Sequence, residues 1–461
     1  MKKINTMRTT KPLMGLAVLI AALASAPVFA KVGADEAAKL GKTLTPNGAE
    51  KAGNADGSIP AWDGGLTKAP ACFKPGDSFR CDPFPDDKPL FVITNENKGQ
   101  YKDKLSVGLL AMLEKYPTTF KIPVYQTRRT AAFPPAIDAC TLKNATTTEL
   151  TGGGNGVTGM ECGTPFPIPK DPHEYIWNHI LRYRGDGAYR VTGQVTPQPN
   201  GAFSLVLFHD MAAFRTGLTD FDPAQDANIL FYFKQEIVAP ARLAGNVLLV
   251  HETIDQVKEP RRAWIYNAGQ RRVRRAPQVA YDGPGTAADG MRTADNFDMY
   301  NGAPDRYNWE VIGKKEMYIP YNSYKMDDRT AKYKDIVKPG HLNPDYTRFE
   351  LHRVWVVDAK LKPGTRHIYA RRTFYIDEDT WQAGLIDHYD GRGNLWRVGQ
   401  AYEMQYYDAN VPWMSVEALY DLNASRYIAI GPKNEEKQGV IFKKFKKEDF
   451  SPNSLRATGV R

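Results

Sequence analysis

Apolar and polar residues alternate along most of the chain beyond residue 188. The alternation is clearest over residues 229–237, where every second residue is aromatic or aliphatic up to Phe233 and Ile237 follows. The same period of two recurs in later segments, over residues 246–254, 263–267, 271–275, 309–318, 348–358, 366–376, 384–389 and 395–407. Such a period predicts β-strands, and turn-rich links without helical spacing predict an antiparallel meander.

Two segments have the spacing of helices instead. In residues 101–113 an apolar stripe recurs every three or four positions, and Pro117 ends it. The second helix is predicted to begin after Asp171 as N-cap, with Pro172 and Glu174 completing a capping box, and to stop at Gly185. These helices either pack against the sheet or form a lid over a cavity.

A sheet of this size must cover its apolar face. Two helices are too few to cover the apolar face of so many strands, so the sheet is expected to curl and cover that face itself. We therefore expect a mainly β (α+β) fold: a large antiparallel, half-open β-barrel whose mouth is covered or plugged by helices.

The first thirty residues have the composition of a cleavable signal peptide. Four basic residues precede an apolar run from Leu13 to Leu23, and small residues follow up to Ala30. No later stretch approaches eighteen consecutive apolar residues. We expect the mature protein to begin near Lys31 and to be exported and soluble.

All four cysteines, Cys72, Cys81, Cys140 and Cys162, lie in the mature part. An even number in an exported protein predicts disulfides. Three pairings are possible, and the local one, Cys72–Cys81 with Cys140–Cys162, closes the shortest loops. Metal binding by these cysteines is disfavoured, because no pair has C-x-x-C spacing.

Arginines are concentrated in residues 261–275, where six of them accompany Trp264 and Tyr266 around a turn at 267–269. In a cytosolic protein this pattern would indicate nucleic acid binding, but export excludes nucleic acid as the natural partner. The formal charge of +9 includes +4 from residues 1–30, which leaves a mild +5. On a strand, Arg272 and Arg274 share one face and Arg275 lies on the other, so at most one arginine pair can face a cavity.

The sequence has no recognisable catalytic motif: H-E-x-x-H, G-x-S-x-G and a phosphate-binding glycine loop are all missing. We therefore predict no catalytic residues, no metal and no cofactor. The densest polar cluster, Asp387-His388-Tyr389-Asp390, distributes its side chains over both faces of a strand and is interpreted as an exposed strand end.

Arg353 lies in an otherwise apolar row with Leu351, Trp355 and Val357. A buried guanidinium needs a partner. That partner is either an acidic neighbour in a structural ion pair or the anionic head group of a ligand whose tails contact the aromatic residues.

Several motifs, spaced along the chain, resemble the bacterial family of domain of unknown function 1329. They are NADGSIPAWDGG (54–65), PARLAGNVLLVHETI (240–254), AWIYNAGQRRVRRAPQVAYD (263–282), DRYNW (305–309) and KEMYIPYN (315–322). The family is similar to the periplasmic lipoprotein carriers LolA and LolB, whose fold is a half-open barrel closed by helices over an apolar cavity. The cysteine-bearing segment, about residues 72–162, has no counterpart in those carriers.

The resemblance implies a periplasmic carrier, not an enzyme, that binds a hydrophobic or amphiphilic ligand, such as lipoprotein acyl chains, and meets an inner- or outer-membrane transport partner. It also implies a division of the chain into a signal peptide (1–30), an N-terminal extension with a helix and disulfide-bearing loops (31–170) and a half-barrel (171–461). Combining it with the patterns above, we expect the ligand to contact Phe231, Phe233, Trp264, Tyr266, Arg272, Arg274, Arg353 and Trp355. Two alternatives stay open: an envelope enzyme that acts on lipids or glycans, and a non-catalytic subunit of an envelope transport complex whose barrel is filled by its own side chains.

Overall fold

The computed structural model describes residues 32–276 and 281–459. The expected signal peptide, residues 1–30, lies outside the described residues. Strands are the predominant regular element of the described chain. Its strands are β1 Phe91–Ile93, β2 Ile122–Val124, β3 Glu149–Thr151, β4 Gly156–Thr158, β5 Gly187–Val195, β6 Leu205–Phe214, β7 Ile229–Ala239, β8 Val247–Thr253, β9 Arg262–Asn267, β10 Arg272–Arg275, β11 Tyr307–Pro320, β12 Phe349–Leu361, β13 Arg371–Asp377, β14 Ala383–Tyr389, β15 Leu395–Tyr406, β16 Val411–Asp421, β17 Arg426–Ile430 and β18 Val440–Phe442.

Sixteen of the described strands form one sheet, and thirteen of these make up two antiparallel meanders. β5 to β10 form the first meander and β11 to β17 the second. The two join where β17 pairs with β5, with Ala429 opposite Val195 and Ile430 opposite Gln194. This junction brings together strands more than 230 residues apart in the sequence.

The sheet does not close on itself in the described part of the chain. β10 pairs with β9 and β11 pairs with β12, and these two strands end the series of meander strands without pairing with each other. The fold is therefore mainly β and half-open, as expected. β1 and β2 join near the start of β12, where Val124 lies beside Phe349 in parallel pairing.

The helices are few and short, with bounds α1 Ala34–Ala37, α2 Val107–Lys115, α3 Pro135–Thr147, α4 Pro172–Leu181, α5 Tyr333–Ile336 and α6 Ser454–Gly459. α4 has the predicted capping box of Asp171 and Glu174. α2 is shorter than predicted, because residues 98–104 form separate 3-10 turns and Ser106 caps the helix. α3 was not predicted, because its buried face, formed by Ile137, Thr141, Asn144 and Ala145, is mostly polar or small and leaves no apolar stripe.

Each face of the sheet is covered by different elements. One face, which we call the inner face, carries Phe231, Phe374 and Trp413 and packs against Trp177 of α4. The opposite, outer face packs against α2 through Leu109 in the second meander. In the first meander the outer face meets the C-terminal segment through residues such as Phe450 and Leu455. Both predicted helices thus pack against the sheet.

The cysteines have the local pairing, Cys72 with Cys81 and Cys140 with Cys162. No helix in residues 32–276 or 281–459 is both long and apolar enough to cross a membrane.

The interpretation of Asp387 and His388 as an exposed strand end is wrong: both are fully buried in β14. Their side chains do lie on opposite faces, but strands and helices cover both faces here. Asp387 accepts a hydrogen bond from the Gly108 N–H of α2 at 3.1 Å. His388 lies 3.0 Å from the Asn296 amide.

Residues 32–170 also contact the sheet closely. The indole of Trp381 donates to the carbonyl of Asn47 at 2.9 Å, and Arg129 pairs with Asp379 at 2.7 Å. The predicted division at residue 170 remains a proposal about how the chain is organised.

Candidate functional site

A single row of side chains crosses the inner face of the first meander from the interior to the solvent. Directly opposed residues on antiparallel strands point to the same face. Following the pairing from β5 to β10 gives the row Arg190, Asp210, Gln235, Leu248, Ile265 and Arg274. Asp210 is buried, Leu248 is half-buried, and Ile265 is 43% exposed. This row, here called the trough, is therefore polar at its buried end, apolar in the middle and basic at its exposed end.

The buried end of the trough opens into a cavity of about 30 Å³. Arg190, Asp210 and Gln235 line one side of it, and Trp413 and Glu417 of β16 line the other. A neighbouring cavity of about 20 Å³ shares some of the same lining residues, namely Arg292, Glu417 and Ile430. Cavities of this size hold one or two water molecules each, so no acyl chain fits inside them in this conformation.

On the sheet side of the cavity the charges are paired. The Nε of Arg190 donates to Asp210 at 3.1 Å, and the amide of Gln235 donates to the other carboxylate oxygen at 2.9 Å. The Arg190 guanidinium also lies 4.9 Å from the ring centre of Trp413. Arg190 and Asp210 thus neutralise each other.

Arg292 is different, because its guanidinium has no hydrogen-bond or ion-pair partner among the described residues. Its Nε is shielded from solvent and has no acceptor there. Burial lowers the pKa of Arg292, while the carboxylates of Glu417 and Asp210 raise it. Arginine stays protonated in proteins, so the cavity contains an unpaired cation.

Glu417 lies on the opposite wall of the same cavity. Its carboxylate accepts a hydrogen bond from the Met299 N–H at 2.9 Å. Burial raises the pKa of Glu417 to about 7, against the opposing effect of Arg292. Near neutral pH this residue is therefore only partly ionised and does not fully compensate Arg292.

The segment that covers the cavity is a loop, not a helix. Residues 281–306, here called the covering loop, supply Arg292 and Phe297 to the cavity wall. The ring of Phe297 lies 5.9 Å from Phe231 and 5.2 Å from Phe233. The loop is further held by Asp298, whose carboxylate accepts from Trp413 at 3.1 Å.

Four residues of the covering loop other than glycine have positive φ angles, which L-amino acids adopt at a cost. They are Ala287 (51°), Asp289 (49°), Asp298 (52°) and Met299 (66°). Such strain persists only where the surrounding structure holds it in place, and it is common beside binding sites.

Six of the predicted ligand residues lie on the inner face, and four of these belong to the first meander. Phe231 and Phe233 are buried beneath Phe297 of the covering loop. Arg272 and Arg274 lie on the same face at the exposed edge, opposite Asn267 and Ile265. The structure thus places one arginine pair on the face that continues into the cavity, at the far end of the trough.

Trp264 and Tyr266 lie on the outer face, because they alternate with Ile265 along β9. Tyr266 is 2% exposed and packs in the cluster under the C-terminal segment. Trp264 lies 4.8 Å from the ring of His251. The structure does not bring these two residues together with Phe231 in one site.

Arg353 and Trp355 lie on β12, near the other edge of the sheet. Arg353 donates to the Ala52 carbonyl at 3.0 Å and lies 3.3 Å from Glu378. Trp355 packs edge-on against Tyr175 of α4 at 5.0 Å. Of the two alternatives for Arg353, the ion pair is the arrangement present here.

Sequence reasoning missed Arg292 and Glu417. Arg292 follows a glycine- and aspartate-rich stretch without any period, so no pattern marks it. Glu417 belongs to β16, which was not predicted. A usable signal was present there, since Ser415 and Glu417 interrupt an apolar strand.

Comparison with known proteins supports the sequence resemblance. The family model for the protein of unknown function DUF1329 matches residues 92–456. Uncharacterized protein PA3922 of Pseudomonas aeruginosa is 62% identical over 457 residues, which is 99% of this chain and 100% of that protein.

Solved structures show weaker likeness. An outer membrane lipoprotein-sorting type domain from Vibrio parahaemolyticus has a TM-score of 0.40 at 13% identity, covering 59% of this chain and 91% of its own. The LolA superfamily protein NE2245 of Nitrosomonas europaea has a TM-score of 0.38 at 9% identity, covering 62% of this chain and 100% of its own.

Proposed function

The chain belongs to the DUF1329 family, and from this premise we propose that it is an exported binding protein that carries an anionic amphiphile within the cell envelope. The observation that carries the proposal is the row on the inner face, from the cavity with the unpaired Arg292 to the exposed arginines of β10. An anionic amphiphile complements this row, because its acidic head can meet the cation and its apolar body can lie on the apolar side chains. The proposed role is binding and transfer, not catalysis.

The head group is assigned to Arg292. An unpaired cation that is half-buried, with its Nε shielded from solvent, is costly, and an anion that binds it recovers a charge-assisted hydrogen bond. A carboxylate occupies roughly the space of two water molecules, which is what the cavity offers. We therefore expect a carboxylate head group, as in a fatty acid, to be preferred over a bulkier phosphate.

The apolar body is assigned to the middle of the trough. Leu248 and Val250 are half-buried there, and Ile265 is among the exposed large apolar residues. Exposed apolar surface next to a polar pocket is typical of a ligand groove. Arg272 and Arg274, at the open end, then face outward and can attract an anionic membrane surface.

The test is binding of a fluorescent fatty acid to delipidated protein. Arg292→Gln is expected to weaken binding at least tenfold, because one hydrogen bond to a charged group is lost. Arg262→Gln is the matched control, since Arg262 is exposed on the outer face of β9 and should leave affinity unchanged. A probe with a neutral alcohol head should bind wild type and Arg292→Gln alike. Equal fatty-acid affinity of both proteins would contradict the assignment.

One observation supports a second function. α4 and the aromatic cluster around Phe374 and Trp381 fill the inner face of the second meander. This is the packing expected of a non-catalytic subunit of an envelope complex. Absence of uptake of every probe, together with co-purification of a membrane transport protein, would favour that function.

Export and a periplasmic location are part of the proposal. The basic and apolar pattern of residues 1–30 and the two disulfides support them. Intact mass of the protein from a periplasmic fraction should correspond to a chain that begins near Lys31. A full-length mass in the cytosolic fraction would contradict this.

A further inference from the structure

A second cluster of ionisable residues lies away from the trough, where the turn after β13 meets β12. Asp377 at the end of β13 and Asp379 of the turn lie near His352, Glu378 lies between them in the sequence, and all four are buried. Burying charges is unfavourable unless each is paired. The charge balance of the cluster therefore depends on which carboxylates have a lysine or arginine beside them.

Two of the carboxylates are fully compensated. Asp379 forms two short contacts with Arg129, 2.7 Å to Nη2 and 3.0 Å to Nε. Glu378 accepts from Lys314 at 2.7 Å and lies 3.3 Å from Arg353. These cations balance the charge of both carboxylates, and Asp379 Oδ2, which accepts only the Arg129 Nε hydrogen bond, can still bind a further cation.

Asp377 and Glu403 are not compensated in this way. No lysine or arginine of the described chain lies within ion-pair distance of either carboxylate. Thr380 connects them, because its hydroxyl lies 2.9 Å from Asp377 Oδ2 and 3.3 Å from Glu403 Oε2. The remaining oxygens, Asp377 Oδ1 and Glu403 Oε1, are shielded from solvent and have no hydrogen-bond partner. In the described chain, therefore, no lysine or arginine is paired with these two carboxylates, and the group closest to Asp377 that can carry a positive charge is the imidazole of His352.

The imidazole of His352 is oriented toward this gap. Its Nε2 lies 3.2 Å from Glu350, which is itself paired with Arg348 at 2.6 Å. Its Nδ1 lies 3.6 Å from Asp377 Oδ1 and 3.9 Å from Asp379 Oδ2. These separations are too long for hydrogen bonds. They are close to the roughly 3.4 Å between ligands of one tetrahedral metal ion with bonds of about 2.1 Å.

We propose that His352 Nδ1, Asp377 Oδ1 and Asp379 Oδ2 bind one divalent transition-metal cation of the zinc or manganese class. The mixed nitrogen and oxygen ligands favour such ions. Glu350 holds the histidine through its other nitrogen, as carboxylates commonly do at metal sites. The double charge of the ion balances Asp377 and Glu403.

The site is structural, because its ligands are closed off from solvent. The ion is then bound as the chain folds, and its binding energy contributes to folding. The ion connects β12, through His352, to the β13–β14 turn, through Asp379, and Asp379 in turn pairs with Arg129 of the N-terminal part. No sequence pattern marks this site, since His352 and Asp377 are 25 residues apart and fit no metal motif.

The test is refolding of the disulfide-intact protein from guanidinium with Zn²⁺, with Mn²⁺ or with a chelator. After removal of free metal, elemental analysis should find about one ion per chain, and the melting temperature should exceed that of the chelator sample. His352→Gln and Asp377→Asn should lose the ion and the difference in melting temperature. His341→Gln, at a buried histidine elsewhere, should retain both.

Equal metal content in wild type and His352→Gln, or melting temperatures of wild type that do not depend on metal, would overturn the proposal. If the variants do not fold, X-ray absorption of metal-loaded wild type decides the matter. One imidazole with oxygen ligands supports the site, and a shell of water oxygens alone overturns it.

Discussion

Arg182 Nη2 lies 2.9 Å from both carboxylate oxygens of Asp298, and both side chains are buried. Arg182 follows the last residue of α4, and Asp298 belongs to the covering loop. Arg184 also contacts this carboxylate. One carboxylate therefore connects the loop over the cavity to the helix on the inner face.

Asp298→Asn should destabilise the fold by about 3–5 kcal/mol, because it leaves two buried guanidinium groups without a charge partner. Asp289→Asn, in the same loop, is the control: its pair with Arg426 is exposed on the Asp289 side and should contribute less than about 1 kcal/mol. Urea unfolding of the three proteins measures both values. Equal stability of Asp298→Asn and wild type would show that this pair does not hold the loop.

Glu417 makes stability depend on pH. Burial raises the pKa of Glu417 to about 7 from 4.5, so the folded state binds a proton that the unfolded state releases. The unfolding free energy should therefore fall as pH rises from about 4.5 to 7, by about 3 kcal/mol at most, and then stay level. Glu417→Gln retains an acceptor for the Met299 N–H and removes the titration. The difference between the two proteins across this pH range is the measurement; a constant difference would be evidence against the shift.

Gly108→Ala should destabilise the fold by about 1–3 kcal/mol. An added Cβ would lie 2.1 Å from Asp387 Oδ1 and 2.7 Å from a methyl of Val398, so α2 would have to move off the sheet. Gly99→Ala is the matched control, since its Cβ would have no neighbour within 4 Å. Thermal unfolding compares them, and a smaller loss at Gly108 than at Gly99 would refute the close contact.

Arg274 and Arg275 are adjacent, exposed and on opposite faces of β10. If the inner face at this edge meets anionic lipid, Arg274→Glu should reduce binding to anionic vesicles several-fold and lower its salt dependence. Arg275→Glu makes the same change of charge on the outer face and should have the smaller effect. Vesicle co-sedimentation at two salt concentrations tests this. Identical losses in both variants would indicate attraction by net charge alone.

The Cys140–Cys162 disulfide closes 22 residues of sequence that include most of α3 and the β3–β4 hairpin. Replacing both cysteines by serine should lower stability by about 3 kcal/mol, mainly by releasing the unfolded chain. Non-reducing peptide mapping should first show the two local disulfides. Recovery of a peptide that joins Cys81 to Cys140 would contradict the pairing.

The sequence determined the elements whose signals are local. Alternation marked most strands from β7 to β15, and the capping residues Asp171 and Glu174 marked α4, because strand and helix periods depend on residues only a few positions apart. The cysteine spacing likewise favoured the local disulfides. The sequence periods did not predict α3 or β16, because α3 has no apolar stripe and β16 is buried on both faces.

Only the tertiary structure decided which residues meet. The pairing of β17 with β5 and the path of the covering loop bring Arg292 to Glu417, 125 positions away. The family resemblance and the sequence patterns together assigned Trp264 and Arg272 to one ligand, whereas the observed register places them on opposite faces. Long-range pairing and the route of an irregular loop are set by packing over the whole sheet. For that reason the candidate cavity and the His352 cluster could be found only in the folded molecule.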